Sequence, residues 1–270
     1  MMIGASRGSL ARQSEALDSR LGNSGAAGLA ADLLSVSGLL DTEKQLRNAL
    51  ADSGQPAAGR QALARQIFGG RVGELAVDVL ADVVAERWSN DQDLLLSIEQ
   101  LAFQAAFAGA AVDGTLDSTE EELFLFGRAL DASSELQMAL TDPAQPAAVK
   151  ARIVRDLIGS RTSATTTQVL EYAVGHLHGR RIDSVVDVLC ELAATQRQKL
   201  IAEVRVAAPL TDEQKQRLTA ALSTLKGRTV RLNVAVDPSV LGGAHVKVGD
   251  EVIDGTVASR LEQARRAILG

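Results

Sequence analysis

Apolar residues in the middle of the chain recur at helical spacing. Leu123, Phe126 and Leu130 mark one stripe, and Val149, Ile153, Val154 and Leu157 mark another that stops at Gly159. TDPAQP at 141–146 separates them, because Pro143 and Pro146 lack an amide proton and clash with the preceding turn. Ser118 and Glu121 have the spacing of a capping box at the start of the first stripe. Val169, Leu170, Ala173, Val174 and Leu177 predict a further helix and HGRR at 178–181 a turn. Val185, Val188, Leu189 and Leu192 predict the last helix of this region. One segment differs: in SIEQLAFQAAFAGAAV (97–112), Leu101, Ala105, Ala108 and Val112 form one stripe, and Phe103, Phe107 and Ala110 form another. A helix apolar on nearly all sides must be covered on both.

Near Lys199 the period changes from helical to alternating. Val204 and Val206 alternate with charges, then Thr211 with Gln214 predicts a capped helix with a Leu218, Ala221, Leu222, Leu225 stripe ended by Gly227. VRLNVAV places Val230, Leu232, Val234 and Val236 on one face of a strand, HVKV continues with Val246 and Val248, and Val252–Ile253 predict a short strand. A final helix holds Val257, Leu261, Ala264 and Ile268, with Asp254 or Thr256 as its cap. The fold class expected is mainly α with a small α/β C-terminal module.

The helical part repeats. LLDTEKQLRNALADSGQPAAGRQALARQIFGG from Leu39 aligns without a gap on ALDASSELQMALTDPAQPAAVKARIVRDLIGS from Ala129, an offset of 90. Asp41 matches Asp131, Asp52 matches Asp142, QPAA at 55–58 recurs at 145–148, and Arg65 matches Arg155. A unit this long is not a solenoid repeat. The expectation is two tandem helical bundles, 1–97 and 98–198, followed by the α/β module at 199–270.

Composition narrows the function classes. Aromatic residues are only 3% of the chain, so cores must be built from Ala, Leu and Val. A net charge of −6 argues against a nucleic-acid binder. The single Cys190 has no partner for an internal disulfide, which fits a reducing compartment. No uninterrupted apolar run approaches the ~18 residues that span a bilayer, and the start of the chain has no apolar core of a signal peptide.

Candidate chemistry is sparse. VDPSVLGGAHVKVGDEVIDGTV (236–257) is glycine-rich, but Gly242 and Gly243 precede a strand, and neither G-x-x-x-x-G-K-[ST] nor G-x-G-x-x-G occurs. Asp237, Pro238, Gly242, Gly243, Gly249, Asp250, Asp254 and Gly255 read instead as structural turn residues. DGTLDSTEEE (113–122) imitates half of an EF-hand, but Gly109 and Ala111 stand where the first ligands belong. His176, His178 and Cys190 have no zinc spacing, and the histidines read as ordinary surface and turn residues. No catalytic, cofactor-binding or metal site is expected.

The C-terminal residues also resemble a known family. Ala208 to Thr211 and the run V-D-P-x-x-x-G-G-x-x-V-x-x-G-D-x-x-x-D-G-T-V resemble the delta subunit of F-type ATP synthase, called OSCP in mitochondria. ALTDPAQPAAVKARIVRDLIG and LAFQAAFAGAAVDGTLDSTEEELFLFGRAL (101–130) resemble that family's helical bundle, which usually occurs once. The resemblance implies a non-catalytic stator subunit, one copy per complex, that couples proton transport to ATP synthesis. Implied partners are the N-terminal helices of the alpha subunits and the b-type peripheral stalk, without nucleic acid. The implied location is peripheral, on the cytoplasmic face of the bacterial cell membrane, reached through partner subunits. In the family the alpha-subunit helix lies in a groove between the bundle's first and fifth helices, here about 97–112 and 165–177; Phe103, Phe107, Tyr172 and His176 are the candidate contacts. Val257, Leu261 and Ile268 are the candidates for the stalk. The alternative is a freestanding helical adaptor or regulator reusing the fold.

Overall fold

The computed structural model describes residues 4–21, 26–159, 162–198, 200–226, 230–237, 240, 242–248 and 251–254. Eleven helices come first among them: α1 (Ala5–Arg20), α2 (Ala26–Thr42), α3 (Lys44–Ala51), α4 (Ala57–Phe68), α5 (Glu74–Ala85), α6 (Asp91–Val112), α7 (Leu116–Ala132), α8 (Ser134–Thr141), α9 (Ala147–Ile158), α10 (Ala164–Gly175) and α11 (Ile182–Gln198). Then follow β1 (Leu200–Val206), α12 (Asp212–Lys226), β2 (Val230–Val236), β3 (Ala244–Val248) and β4 (Glu251–Asp254). The chain forms two compact units, Met1–Leu17 with Ser24–Arg197, and Asp18–Asn23 with Gln198–Gly270.

In the helical unit, α2, α3, α4 and α5 begin 90 residues before α7, α8, α9 and α10, and each pair has the same length. The turn chemistry recurs with them. The Asp52 carboxylate accepts from the Gly54 amide (2.9 Å) and that of Asp142 from the Ala144 amide (2.8 Å), so the same Asx turn precedes Pro56 and Pro146 at the next helix starts. Proline suits a helix start because its missing amide would be unpaired there anyway. The expected division between 97 and 98 falls inside α6, a single continuous helix. It closes the first set of helices and opens the second.

Local chemistry explains why α6 is long. The Asn90 side chain accepts from the Asp93 amide (2.7 Å), and Asp91 and Asp93 favour the positive end of the helix dipole. Both apolar stripes are covered, with Leu101, Ala105, Ala108, Phe103, Phe107 and Ala110 all buried, while Val112 at the end is exposed. The helix is long and apolar enough to cross a membrane, yet 78% of its apolar window is buried inside the protein. Glu99 and Gln104 interrupt the apolar run without ending the helix, so the helix reaches spanning length although no uninterrupted apolar run does.

Other expectations need correction. Helix α7 starts at Leu116 after Thr115, so Ser118 lies within its first turn and makes no cap. On α9, Val149 and Leu157 are exposed, and Val154 and Lys150 are buried. Helix α11 buries Val185 and Leu189 but leaves Val188 at the surface.

The smaller unit is a mixed sheet in the order β2-β1-β3-β4. Strands β1 and β2 are parallel, joined through α12, whereas β1/β3 and β3/β4 are antiparallel. The register sets Val204 opposite Val234 and Val246, so inward positions stack across three strands. Thr211 and Gln214 form the expected capping box: the Thr211 amide donates to Gln214 Oε1 (2.9 Å), and the Gln214 amide donates to Thr211 Oγ1 (3.3 Å). The stripe of α12 is narrower than expected: Leu222 is buried and Leu218 packs on the core, whereas Ala221 and Leu225 are exposed. Gly242 (φ 87°) and Gly243 (φ 80°) take the left-handed backbone expected of turn residues ahead of β3. The Asp237 amide donates to the Val206 carbonyl (2.8 Å), and the Val240 amide to the Asp237 carbonyl (3.1 Å), closing the turn after β2. Asp254 ends β4; Pro238, Gly249, Asp250 and Gly255, and the expected final helix with Val257, Leu261 and Ile268, lie outside the described residues.

Candidate functional site

Helices α6 and α10 meet through aromatic rings. Phe103 approaches Tyr172 edge-on with centroids 6.1 Å apart, and Tyr172 stacks on His176 at 4.1 Å. His176 is held in turn by its Nδ1 against the Tyr172 carbonyl (2.9 Å). Three of the four groove candidates thus come together. Phe107 lies one turn along α6 from Phe103 and is fully buried.

A helix of the same chain covers this seam. Helix α2 lies along α6, and Gly38 brings its backbone to the ring stack: a Cβ built there would stand 3.6 Å from His176 Nε2 and 4.0 Å from Tyr172 Cε2. Ser37 interacts with the Tyr172 phenol, although neither hydroxyl completes a hydrogen bond. Burial pushes the phenol well above its ordinary range, only partly opposed by Ser37, with Glu99 and Asp41 adding to the shift. Phe103 and Phe107 are 2% and 0% exposed.

Beneath the aromatic stack lies a buried ionic cluster. His178, with left-handed backbone (φ 55°), sets Nδ1 3.1 Å from Asp41 and Nε2 3.1 Å from Glu99. Arg180 donates to the other Glu99 oxygen at 2.6 Å. The side chains of His178 and Glu99 are 4% and 2% exposed. The cluster joins α2, α6 and the α10–α11 turn at one point. His178 is therefore no surface residue, contrary to the sequence reading. Its partners are far away in sequence, and nothing local marks Asp41 or Glu99 as their site.

A second polar anchor was also invisible in the periodicity. Arg60 of α4 is buried and donates to five carbonyls, those of Asp52, Gln55, Val84, Ala85 and Glu86, at 2.6 to 3.1 Å. It thereby satisfies the C-terminal carbonyls of α5. The same place in the second set of helices holds Lys150, whose ammonium is lowered in pKa chiefly by burial. Among the described residues, no group of three or more His, Cys, Asp or Glu side chains is placed to hold a metal ion.

The arrangement is that of a helical repeat bundle joined in sequence to a small mixed sheet, with its most elaborate polar contacts spent on pinning helices together. The ATP synthase delta (OSCP) subunit family model matches residues 103–268. ATP synthase subunit delta of Streptomyces griseus is 43% identical over 271 residues, covering 100% of both chains. That of Streptomyces avermitilis is 43% identical over 97% of each, and that of Nocardia farcinica 38% identical over 99% of this chain and 100% of its own. A chain of the Toxoplasma gondii mitochondrial ATP synthase hexamer is a looser likeness, at 22% identity and a TM-score of 0.29, covering 64% of this chain and 97% of that one. This chain belongs to the ATP synthase delta (OSCP) subunit family.

Proposed function

We propose that this chain is a non-catalytic stator subunit of F-type ATP synthase, joining the catalytic head to the b-type peripheral stalk at the cytoplasmic face of the membrane. The observation that carries this reading is the 43% identity to an ATP synthase subunit delta over the whole of both chains. A freestanding adaptor is disfavoured by the same end-to-end match. Resisting rotor torque requires extensive interfaces and stiff helices, and the bundle's pinned seams suit that task.

The head contact is assigned to the second set of helices, with the N-terminal helix of an alpha subunit competing with α2 for the seam at Phe103, Phe107, Tyr172 and His176. The stalk contact is assigned to the C-terminal module, including Val257, Leu261 and Ile268. Calorimetric titration of an alpha-subunit N-terminal peptide into the full chain tests the head contact. The variant Asp41→Asn, which loosens α2 at His178, should bind more tightly, by about threefold or more. An affinity unchanged by that substitution places the head contact elsewhere on the chain, and no binding to either form removes support for it.

A further inference from the structure

The two second helices of the bundles, α2 and α7, differ on one face. Both bury a stripe in their own bundle, Leu29, Leu33, Val36 and Leu40 on α2, and Thr119, Leu123, Phe126 and Leu130 on α7. Helix α2 buries another, Ala30, Leu34 and Ser37, which leads along the seam to the half-buried Asp41. Ninety residues on, the same positions of α7 are Glu120, Phe124, Gly127 and Asp131. Phe124 is 61% exposed where Leu34 is 5% exposed. The middle of the stripe is covered in one copy, whereas in the other Phe124 is exposed between Glu120 and Gly127, which meet α11.

The open stripe borders a groove. Helices α7 and α11 touch where a Cβ on Gly127 would stand 3.5 Å from Val186. They are tied again at the other end, where Arg197 pairs with Asp117 (3.1 Å) and Glu120 (3.2 Å). Gly127 and Asp117, at the two extremes, are ten positions apart on α7, about 15 Å of helix at 1.5 Å per residue. The groove has a volume of about 640 Å³, with Phe124, Cys190 and Ala194 as its apolar lining. Glu121 and Glu191 join Asp117 and Glu120 around it, four carboxylates against the one guanidinium of Arg197. The same field is felt inside: burial, then Asp187 and Glu120, hold the Cys190 thiol above its ordinary range.

We propose that the α7/α11 groove is a docking site for a basic amphipathic helix of another synthase subunit. It would seat an apolar side chain against Phe124 and Ala194, and Lys or Arg against Glu120, Glu121 and Glu191. The apolar lining supplies burial and the carboxylates choose the sign of the partner. About 15 Å accommodates two to three helical turns, so the occupant is short. The proposal rests on the stator reading and adds to it the chemistry of one partner.

Photo-cross-linking in the assembled complex tests it. The chain is purified with the synthase after p-benzoylphenylalanine replaces Phe124, and in parallel with a benzophenone maleimide on Cys190 of the unaltered chain. The expected result from either reporter is an adduct to a helical segment of another subunit carrying at least three Lys or Arg within three turns. The triple variant Glu120→Gln, Glu121→Gln, Glu191→Gln should lower the adduct yield at least fivefold while the chain still copurifies. Copurification without an adduct overturns the proposal and leaves the stator reading intact. So does an adduct to an acidic or uncharged segment, to a second copy of this chain or to this chain itself, and so does a yield indifferent to the triple variant. If the unaltered chain does not copurify with the synthase, both readings fall.

Discussion

At the scale of single residues, the buried carboxylate of Glu99 has the most at stake. It accepts from Arg180 and meets His178, and removing it strands two cationic or polar partners away from water. Breaking a buried pair by deleting one partner costs about 3–5 kcal/mol. Glu99→Ala should therefore lower urea-unfolding stability by about 3 kcal/mol, and Glu99→Gln by less, because one acceptor survives. A loss below about 0.5 kcal/mol would mean that water replaces the carboxylate. Acid stability follows from two other carboxylates. Glu86 is held below the ordinary carboxylate range by the hydrogen bond from Arg12, against burial. At Asp91 burial acts upward but the hydrogen bond and charge of Arg47 outweigh it, and the net shift is downward. A depressed folded pKa gives stability that is present above the unfolded value, near 4, and is lost as pH falls through the folded value. Glu86→Gln and Asp91→Asn should thus be less stable than the parent at pH 7, with the gap closing as pH falls below about 4 in parallel urea titrations. Phe103, Tyr172 and His176 came from the pair of helices that the family resemblance implies, 97–112 and 165–177, and the structure brings their rings together within the chain. Sequence reading missed Asp41, Glu99, His178 and Arg60, since a buried ionic contact has no periodicity.

At the scale of elements, legibility followed apolar stripes. The helices α9 and α10 and the strands were readable from spacing and turn residues, whereas α8 was not separated from α7, because the break is made by Ser133 capping the Leu136 amide and not by a proline or glycine. Helix α1 was not, because hydroxyl and amide groups do much of the work that an apolar stripe would do. Ser6 donates to Asp93 (2.6 Å), Ser9 to the Arg87 carbonyl (2.9 Å), and Ser14 to Gln104 (2.6 Å). Nor could spacing tell that α2 covers the α6/α10 seam, because the residues it sets against the rings, Ser37 and Gly38, are small and not apolar markers. Close approach there gives a graded prediction. Gly38→Ala meets only ordinary contact at 3.6 Å and removes a helix-disfavouring glycine, so it should be neutral or stabilising by up to ~1 kcal/mol. Gly38→Trp must drive α2 from the ring stack. It should lower the thermal midpoint by several degrees and raise Tyr172 exposure, read by fluorescence quenching or nitration. Equal stability of the two variants would show that α2 does not lie tightly on the rings.

At the scale of the whole molecule, the 90-residue repeat was legible, but the way its copies meet was not. Sequence alignment suggests two bundles with a border; the structure gives α6 to both. A border can be drawn through a sequence anywhere, whereas a helix forms cooperatively and resists division. The consequence for stability is that neither set of helices can open while the other keeps its core. Amide exchange along α6 should therefore be slow and uniform, at the rate set by opening of the entire helical unit, and α3 and α8 should exchange faster. Two distinct protection levels within α6, divided near residue 97, would instead reveal two independently opening bundles. The same sharing matters under load. Two bundles joined by a loop form a hinge, and a twist applied to one is spent in bending the loop. Two bundles that own one helix in common have no such joint: they form a single lever, and a twist entering at one end leaves at the other.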